Sequence, residues 1–282
     1  MPTNSPSTTA ESRPDRNRLI AAPPVRSNGG MARVAGDFDY ETGGASYDTY
    51  RRADTRIAKV VHDALGGATT VLNVGAGAGS YEPIDRAVVA VEPSASMRAK
   101  RTSTVPVVDA VAAALPFSDD AFDAAMAIAT VHQWPDLHAG LQELRRVTRG
   151  AVVVLTFDPA AIVRAWFAAY APDIATADGR RMPAPETIAA HLGGRTEIVP
   201  VPIPLDCTDG FAEAYYGRPE RLLEEPVRRA QSGWAFLPDG AEERAVTHLA
   251  ADLEDGSWDR RYGHLRTQPW HEGSLRLVVS RP

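Results

Sequence analysis

Short apolar runs alternate with segments of helical periodicity through the middle of the chain. Apolar residues recur at helical spacing within three segments, at 54–65, 95–100 and 137–147. The apolar runs are rich in Val, Ala and Leu and lie at 69–74, 87–91, 105–108, 124–130 and 151–156. Continuous apolar strands separated by helices are typical of a parallel sheet that is covered on both faces. The pattern therefore predicts an α/β protein with a doubly wound, mostly parallel sheet.

Helical segments dominate the chain after the fifth apolar run. Helices are predicted at 160–170 and 185–192, and two or three more within 208–253. The strand-like stretch at 197–205 is interrupted by three prolines, which permit an edge strand and exclude a central one. A final strand is predicted at Leu275–Ser280. We expect a seven-stranded sheet with a helical insertion of about 60 residues before the last strand.

Composition and charge narrow the class of protein. The chain has 282 residues, of which 44% are hydrophobic and 23% charged, as in ordinary globular proteins. A net charge of −6 argues against a nucleic-acid partner. The chain has no apolar run of about 18 residues and its N-terminus has no apolar signal core, so we expect neither a membrane span nor secretion. We therefore expect a cytoplasmic enzyme or binding protein for small molecules.

A glycine-rich segment directly follows the first predicted strand. Residues 71–79 read VLNVGAGAG, and Glu92 ends the next strand 17 residues beyond Gly75. Alternating glycines after a strand let the backbone approach a nucleotide-like ligand, and an acid at Glu92 can accept both ribose hydroxyls. A dinucleotide motif would have glycine in place of Ser80 and a helix next, but Pro83 interrupts the eight residues before Val88. The loop therefore favours a nucleoside ligand without phosphates.

Four motifs together resemble the class I S-adenosylmethionine-dependent methyltransferases, in particular the small-molecule branch of methyltransferase type 11 and ubiquinone-biosynthesis-like enzymes. They are NVGAGAG, VEPS with Met97, LPF before Phe122, and VHQW, and the resemblance covers about residues 45–157. It implies a Rossmann-like methyltransferase fold, S-adenosyl-L-methionine as cofactor and S-adenosyl-L-homocysteine as product. Residues 1–36 are rich in Pro, Ser, Thr, Arg and Gly and are expected to be a disordered leader. The resemblance implies a cofactor-binding core with an N-terminal lid helix at 37–157, and a part at 158–282 that completes the sheet and carries a helical substrate-binding cap at about 207–270.

The resemblance also implies which residues hold the cofactor. In that family an acid usually stands where this chain has Asn73, and an acid often stands near the adenine amino group where this chain has Val111. The segment after Tyr47 resembles the lid helix, so Tyr47 is expected near the sulfonium and Arg51 on the methionine carboxylate. The predicted cofactor residues are Tyr47, Arg51, Asn73, Gly75, Ala76, Gly77, Gly79, Glu92, Pro93, Met97, Val111, Ala112 and Ala129.

Residues for chemistry and substrate carry a weaker signal. His132 ends the fourth strand and is the candidate general base, with packing or helix capping as the alternative. Trp134, Asp206 and Tyr215 are candidate substrate residues. For the two aromatic residues the alternative is packing in the core. For the acidic segment that begins at Asp206, the alternative is a helix N-cap made by Thr208 and Asp209. The seven histidines and single cysteine never form a close ligand pair, so no metal is expected.

The predicted function is transfer of a methyl group to a small-molecule acceptor in specialised metabolism. The alternatives are a cyclase or rearrangement enzyme that binds S-adenosylmethionine on the same fold, and a cofactor-binding module without chemistry. An NAD-dependent oxidoreductase is disfavoured by Ser80 and by the short segment that follows it.

Overall fold

A computed structural model describes residues 47–282, with side chains from Thr49 onward. The predicted leader and the predicted sulfonium contact of Tyr47 lie outside the described residues and side chains, and they stay predictions. The strands are β1 Thr70–Val74, β2 Ala87–Val91, β3 Val107–Val108, β4 Ala124–Ile128, β5 Val152–Phe157, β6 Arg195–Pro200, β7 Ile203–Pro204, β8 Trp270–His271 and β9 Leu275–Arg281.

Seven of these strands form one sheet in the order β3-β2-β1-β4-β5-β9-β6. The first five pair in parallel, and β9 runs antiparallel to both of its neighbours, β5 and β6. The predicted seven-stranded, mostly parallel sheet is confirmed, and its order reverses beside β1. Ligands of open α/β sheets bind beyond the carboxyl ends of the strands at such a switch point.

Helices cover both faces of the sheet. They are α1 Tyr47–Tyr50, α2 Thr55–Ala64, α3 Ala95–Ala99, α4 Leu137–Arg146, α5 Pro159–Ile162, α6 Pro172–Arg181, α7 Pro185–Leu192, α8 Glu225–Arg229, α9 Ala241–Glu254 and α10 Ser257–Tyr262. Four of them begin at a side-chain cap, where Asp54, Ser94, Asp136 and Asp158 accept hydrogen bonds from backbone N–H groups of the first turn. Local capping explains why these helix starts were predictable from the sequence.

The sheet separates two hydrophobic clusters. Val71 of β1 belongs to the cluster under α2 and the cap, while its neighbour Leu72 belongs to the cluster under α4 and α7. Successive strand residues point to opposite faces, so an apolar residue at every position buries the strand on both sides. Among the described helices, none is long and apolar enough to span a bilayer.

The region after β5 departs from the predicted helices. The helix predicted at 160–170 is wrong: α5 ends at Ile162, and a 3-10 turn, Trp166–Ala169, follows before α6, which was not predicted. Trp166 packs edge-on against Trp258 with ring centroids 5.6 Å apart. Tertiary packing of buried aromatic residues therefore overrides helical periodicity here.

The cap is built mostly from short turns. Its 3-10 turns are Ala212–Tyr215, Pro219–Leu223, Ser232–Phe236 and Gly263–Thr267, and the one long helix is α9. The predicted edge strand is confirmed as β6, which has β9 on one side and forms the last strand of the sheet. The small β7–β8 sheet was not predicted, because strands of two residues show no periodicity.

The cap returns to the carboxyl edge of the sheet. Gly210 N–H donates to the carbonyl of Tyr50 at 2.8 Å, next to a β-bridge between Arg51 and Asp209. Asp158 N–H, after β5, donates to the carbonyl of Ser274 at 2.7 Å. These bonds fix the cap and the entry segment, which comprises residues 50–54 between α1 and α2, above the ends of β1, β4 and β5.

Candidate active site

A cleft of about 670 Å³ opens beyond the carboxyl ends of β1, β2 and β4. Eight of the predicted cofactor residues line it: Arg51, Asn73, Gly75, Ala76, Gly77, Glu92, Met97 and Ala129. The structure does not bring Gly79, Pro93, Val111 or Ala112 to its lining. Tyr81 and Asp209 also line the cleft, and the sequence analysis did not assign them to the cofactor.

The glycine loop turns sharply out of β1. Gly75, Gly77 and Gly79 all have positive φ, at 69°, 52° and 98°. A Cβ at Gly75 would lie 2.1 Å from Oγ1 of Thr130, so this turn has no room for a side chain. Turns and bends, with no helix, occupy residues 75–86. The loop therefore lacks a helix N-terminus for a pyrophosphate, in agreement with the spacing in the sequence.

Glu92 is held in the cleft by backbone donors. Its Oε2 accepts from Gly77 N–H at 2.7 Å, and its Oε1 accepts from Ser94 N–H at 2.8 Å. The residue is 7% exposed, and burial raises the pKa of its carboxyl, against the opposing effect of these hydrogen bonds. Each oxygen keeps a further lone pair, so the pair of oxygens fits two adjacent hydroxyl donors such as those of a ribose.

Asn73 presents an acceptor to the same cleft. Its amide Nδ2 donates to Oε1 of Glu82 at 3.1 Å, and Glu82 forms a buried ion pair with Arg101 at 2.7 Å. The Oδ1 of Asn73 is buried and, within residues 47–282, receives no hydrogen bond. An acid at position 73 would set two carboxylates about 3 Å apart, where like charges repel strongly. The neighbouring Glu82 thus explains the amide in place of the family's usual acid.

Asp209 joins three segments at the mouth of the cleft. Its Oδ1 accepts from Nε of Arg51 at 2.6 Å, and its Oδ2 accepts from the hydroxyl of Tyr81 at 2.9 Å. Burial and the charge of Asp209 raise the pKa of Tyr81, so this hydroxyl stays a donor. The helix-cap alternative for Asp209 is wrong, because the next turn begins after Phe211 with no side-chain cap.

A second cleft of about 780 Å³ adjoins the first one. The two clefts share Arg51, Ala129 and Gln133 as lining residues. Apolar side chains of the second cleft are Phe157, Ile162, Phe167, Met182 and Phe211, and its polar lining includes Glu213 and His132. An apolar pocket with a few polar groups is the usual form of a small-molecule site.

His132 lines the second cleft from the 3-10 turn Val131–Gln133, which follows β4. The sharp exit from β4 is made at Ala129, which has φ of 50°. The predicted base thus lines the second cleft and is followed in the chain by Gln133, which lines both clefts.

The three predicted substrate residues line neither cleft. Trp134 packs over Gly140, where an added Cβ would lie 2.5 Å from its ring. Asp206 is an exposed surface acid that pairs with Arg56 at 2.6 Å. Tyr215 is buried, with its hydroxyl against Gly210. Trp134 is half-buried, Tyr215 is buried and Asp206 lies at the surface, so the structure does not bring the three to either cleft and their substrate roles stay predictions.

Two further features concern the single cysteine and the side chains that could hold a metal ion. Cys207 is buried, and burial raises the pKa of its thiol to about 12, so it remains an unreactive thiol at neutral pH. Among residues 47–282, the side chains of His, Cys, Asp and Glu form no group suited to a metal ion.

Comparison with known proteins identifies the core. Residues 72–156 match the family model of a methyltransferase domain. This segment is a methyltransferase domain of the class I S-adenosylmethionine-dependent type. No curated protein matches the chain.

A protein of known structure resembles most of this chain. It is a protein from Anabaena variabilis proposed to be a methyltransferase of an antibiotic biosynthesis pathway, with 29% identity, a TM-score of 0.76, and coverage of 82% of this chain and 98% of that one. An S-adenosylmethionine-dependent methyltransferase from Thermotoga maritima has 16% identity and a TM-score of 0.48 over 86% and 93% of the two chains. The cyclase SpnF has 18% identity and a TM-score of 0.46 over 88% and 86%. Likenesses at these two lower scores add nothing about activity.

The first cleft of the methyltransferase domain fits its cofactor, S-adenosylmethionine. The cofactor offers two ribose hydroxyls, an ammonium and a carboxylate, and the cleft offers the oxygens of Glu92, the buried Oδ1 of Asn73 and the guanidinium of Arg51. A dinucleotide carries a pyrophosphate, and the loop has no helix N-terminus that could bind it. The groups present therefore match a nucleoside joined to an amino acid.

Glu92→Ala is expected to weaken S-adenosylhomocysteine binding by about 1.5–3 kcal/mol, because it removes a charged hydrogen-bond acceptor. Isothermal titration of the variant measures this loss directly. Asp109→Asn is the matched control, since Asp109 follows β3 outside the cleft and should keep wild-type affinity. Unchanged affinity in Glu92→Ala would show that Glu92 does not bind the ribose hydroxyls.

Asp209→Asn is expected to lower S-adenosylhomocysteine affinity about tenfold, because Arg51 loses the charged partner that orients it. 5′-Methylthioadenosine lacks the amino-acid part, so its affinity should stay the same. Asp206→Asn, three residues earlier and exposed, should change neither value. Equal weakening of both ligands in Asp209→Asn would show that the residue supports the whole cleft and has no specific effect on Arg51.

Proposed function

We propose that the protein transfers a methyl group from S-adenosylmethionine to a small-molecule acceptor bound in the second cleft. The observation that carries this proposal is the shared boundary of the two clefts at Arg51, Ala129 and Gln133. Methyl transfer requires the acceptor nucleophile and the methyl carbon to meet in line, and most of the rate comes from holding them in that arrangement. Adjoining clefts give the cofactor and the acceptor such a meeting point.

In this proposal each polar group of the cofactor meets a group of the first cleft with the complementary charge or hydrogen-bonding role. Glu92 accepts the ribose hydroxyls, Asn73 Oδ1 accepts from the ammonium, and Arg51 binds the carboxylate with its orientation set by Asp209. The close glycine loop lets the backbone approach the ligand at Gly77, and Met97 adds an apolar contact. S-Adenosylmethionine itself supplies an activated methyl group together with its leaving group.

The second cleft is proposed to bind and prepare the acceptor. Its apolar wall excludes water and suits a compact, largely apolar skeleton. An acceptor nucleophile that carries a proton must lose it as the new bond forms, and His132 is the base proposed for this step. Phe157 and Phe211, whose ring centroids lie 5.3 Å apart, form part of the apolar wall of this cleft.

A role in specialised metabolism is supported by the Anabaena variabilis relative, whose pathway is described as antibiotic biosynthesis. That protein resembles this chain over 98% of its own length, so the likeness includes the cap as well as the core. The net charge of −6 supports a small molecule over a nucleic acid as partner. We expect the protein to act in the cytoplasm and without a membrane partner.

The proposed reaction can be tested with S-adenosylmethionine labelled by carbon-13 in the methyl group. Incubation with a small-molecule extract of the source organism should give a labelled product and one S-adenosylhomocysteine for each methyl transferred, as measured by mass spectrometry. A product formed without S-adenosylhomocysteine would instead indicate a cyclisation or rearrangement. Cofactor binding with no product would indicate a binding module.

His132→Ala is expected to lower the turnover number about 100-fold, as for loss of a general base, while S-adenosylhomocysteine affinity stays at the wild-type value. The control is His138→Ala, because His138 lies on α4 against His191 and outside both clefts. A turnover number within twofold of wild type in His132→Ala would make this side chain a packing residue.

A further inference from the structure

A buried acid that the sequence analysis did not single out lines the second cleft. Glu213 lies in the 3-10 turn Ala212–Tyr215 of the cap and is 3% exposed. Isolated charges at this depth are costly unless a partner of opposite charge or several hydrogen bonds compensate them. Its surroundings therefore determine what the cleft is built to bind.

Neighbouring backbone fixes the position of Glu213. Its Oε2 accepts from the N–H of Ser274 at 2.7 Å and from the hydroxyl of the same residue. A Cβ at Gly273 would lie 2.6 Å from Oε1, so only glycine leaves room for the carboxylate. Ser274 is in turn bonded to Asp158 after β5. The carboxylate is thus anchored at the carboxyl edge of the sheet.

The second oxygen of Glu213 lacks a partner within the described chain. No group among residues 47–282 donates a hydrogen bond to Oε1, and no cation there forms an ion pair with the carboxylate. Arg276, a nearby cation, pairs with Asp158 at 3.5 Å. Burial accordingly raises the pKa of Glu213, because nothing in the described chain fully offsets the lost hydration.

The other charged side chains of the second cleft already have partners. Asp178 pairs with Arg181 at 3.0 Å, Arg229 pairs with Glu225, and Arg51 pairs with Asp209. Their charges are balanced within the protein. Glu213 is therefore the negative charge in this cleft that a ligand is placed to neutralise.

We propose that Glu213 is the specificity-determining residue of the acceptor site and that the acceptor is an amine on an apolar skeleton. This proposal rests on the methyl transfer proposed above. A bound ammonium supplies both the counter-charge and an N–H donor to Oε1, and the aromatic wall of Phe157, Phe167 and Phe211 attracts a cation as well as an apolar frame.

The chemical step balances with groups already named. The ammonium binds to Glu213 and gives one proton to His132. The freed nitrogen lone pair forms the new N–C bond to the methyl carbon while the C–S bond breaks, and the electron pair of that bond leaves with the sulfur. The products are a methylated ammonium and a neutral thioether, so an ammonium faces Glu213 before and after the transfer.

Three small probes of similar size and different charge test the proposal: phenethylammonium, 2-phenylethanol and 3-phenylpropionate. Each is titrated calorimetrically into the full chain, with and without saturating S-adenosylhomocysteine. Phenethylammonium is expected to bind at least tenfold more tightly than either other probe. In Glu213→Gln this preference should disappear, while the affinities for 2-phenylethanol and S-adenosylhomocysteine stay the same.

Glu186→Gln is the matched control, because this acid is exposed on α7, outside both clefts, and should keep the preference. Should Glu213→Gln fail to fold, Glu213→Asp replaces it; the shorter acid draws away from the ligand and should lose most of the preference. Equal binding of the three probes to the wild type, no binding of any, or a preference that survives in the Glu213 variant overturns the proposal. Failure of the wild-type chain to bind S-adenosylhomocysteine would instead overturn the proposed methyl transfer.

Discussion

The bonds of Asp209 hold the two halves of the site together. Arg51 comes from the entry segment, Tyr81 from the end of the glycine loop and Asp209 from the cap, and the two hydrogen bonds between them are 2.6 and 2.9 Å long. Asp209 is 7% exposed, so this charge pair is shielded from water and stronger than a surface pair. Because the same three residues line the first cleft, the shape of that cleft depends on the position of the cap.

Charge balance explains how this chain departs from its family at the end of β1. Glu82 and Arg101 form a buried ion pair beneath the glycine loop, and Arg101 also donates to the carbonyl of Gly77 at 3.1 Å. With a carboxylate already present at Glu82, an amide at Asn73 keeps one hydrogen bond to it and leaves Oδ1 for the ligand. The substitution therefore changes the charge at position 73 and keeps an acceptor there.

Local patterns carried most of the fold and the first cleft, and long-range packing determined the rest. The apolar runs, the helical periodicity of 54–65 and 137–147 and the spacing from Gly75 to Glu92 lie within short segments, so the sequence alone predicts them. Tyr81 and Asp209 meet across 128 residues, and no local pattern links them. Glu213 likewise depends on Ser274, 61 residues away. The aromatic candidates Trp134 and Tyr215 line neither cleft, because an aromatic side chain suits a core and a pocket equally well.

The most direct test of the account is isothermal titration of the wild-type chain with S-adenosylmethionine, S-adenosylhomocysteine and NAD. The loop without a following helix, the two oxygens of Glu92 and the free acceptor of Asn73 predict micromolar binding of both adenosyl compounds and no binding of NAD. Binding of NAD alone would contradict the account and would make Glu92 a ligand of a dinucleotide ribose.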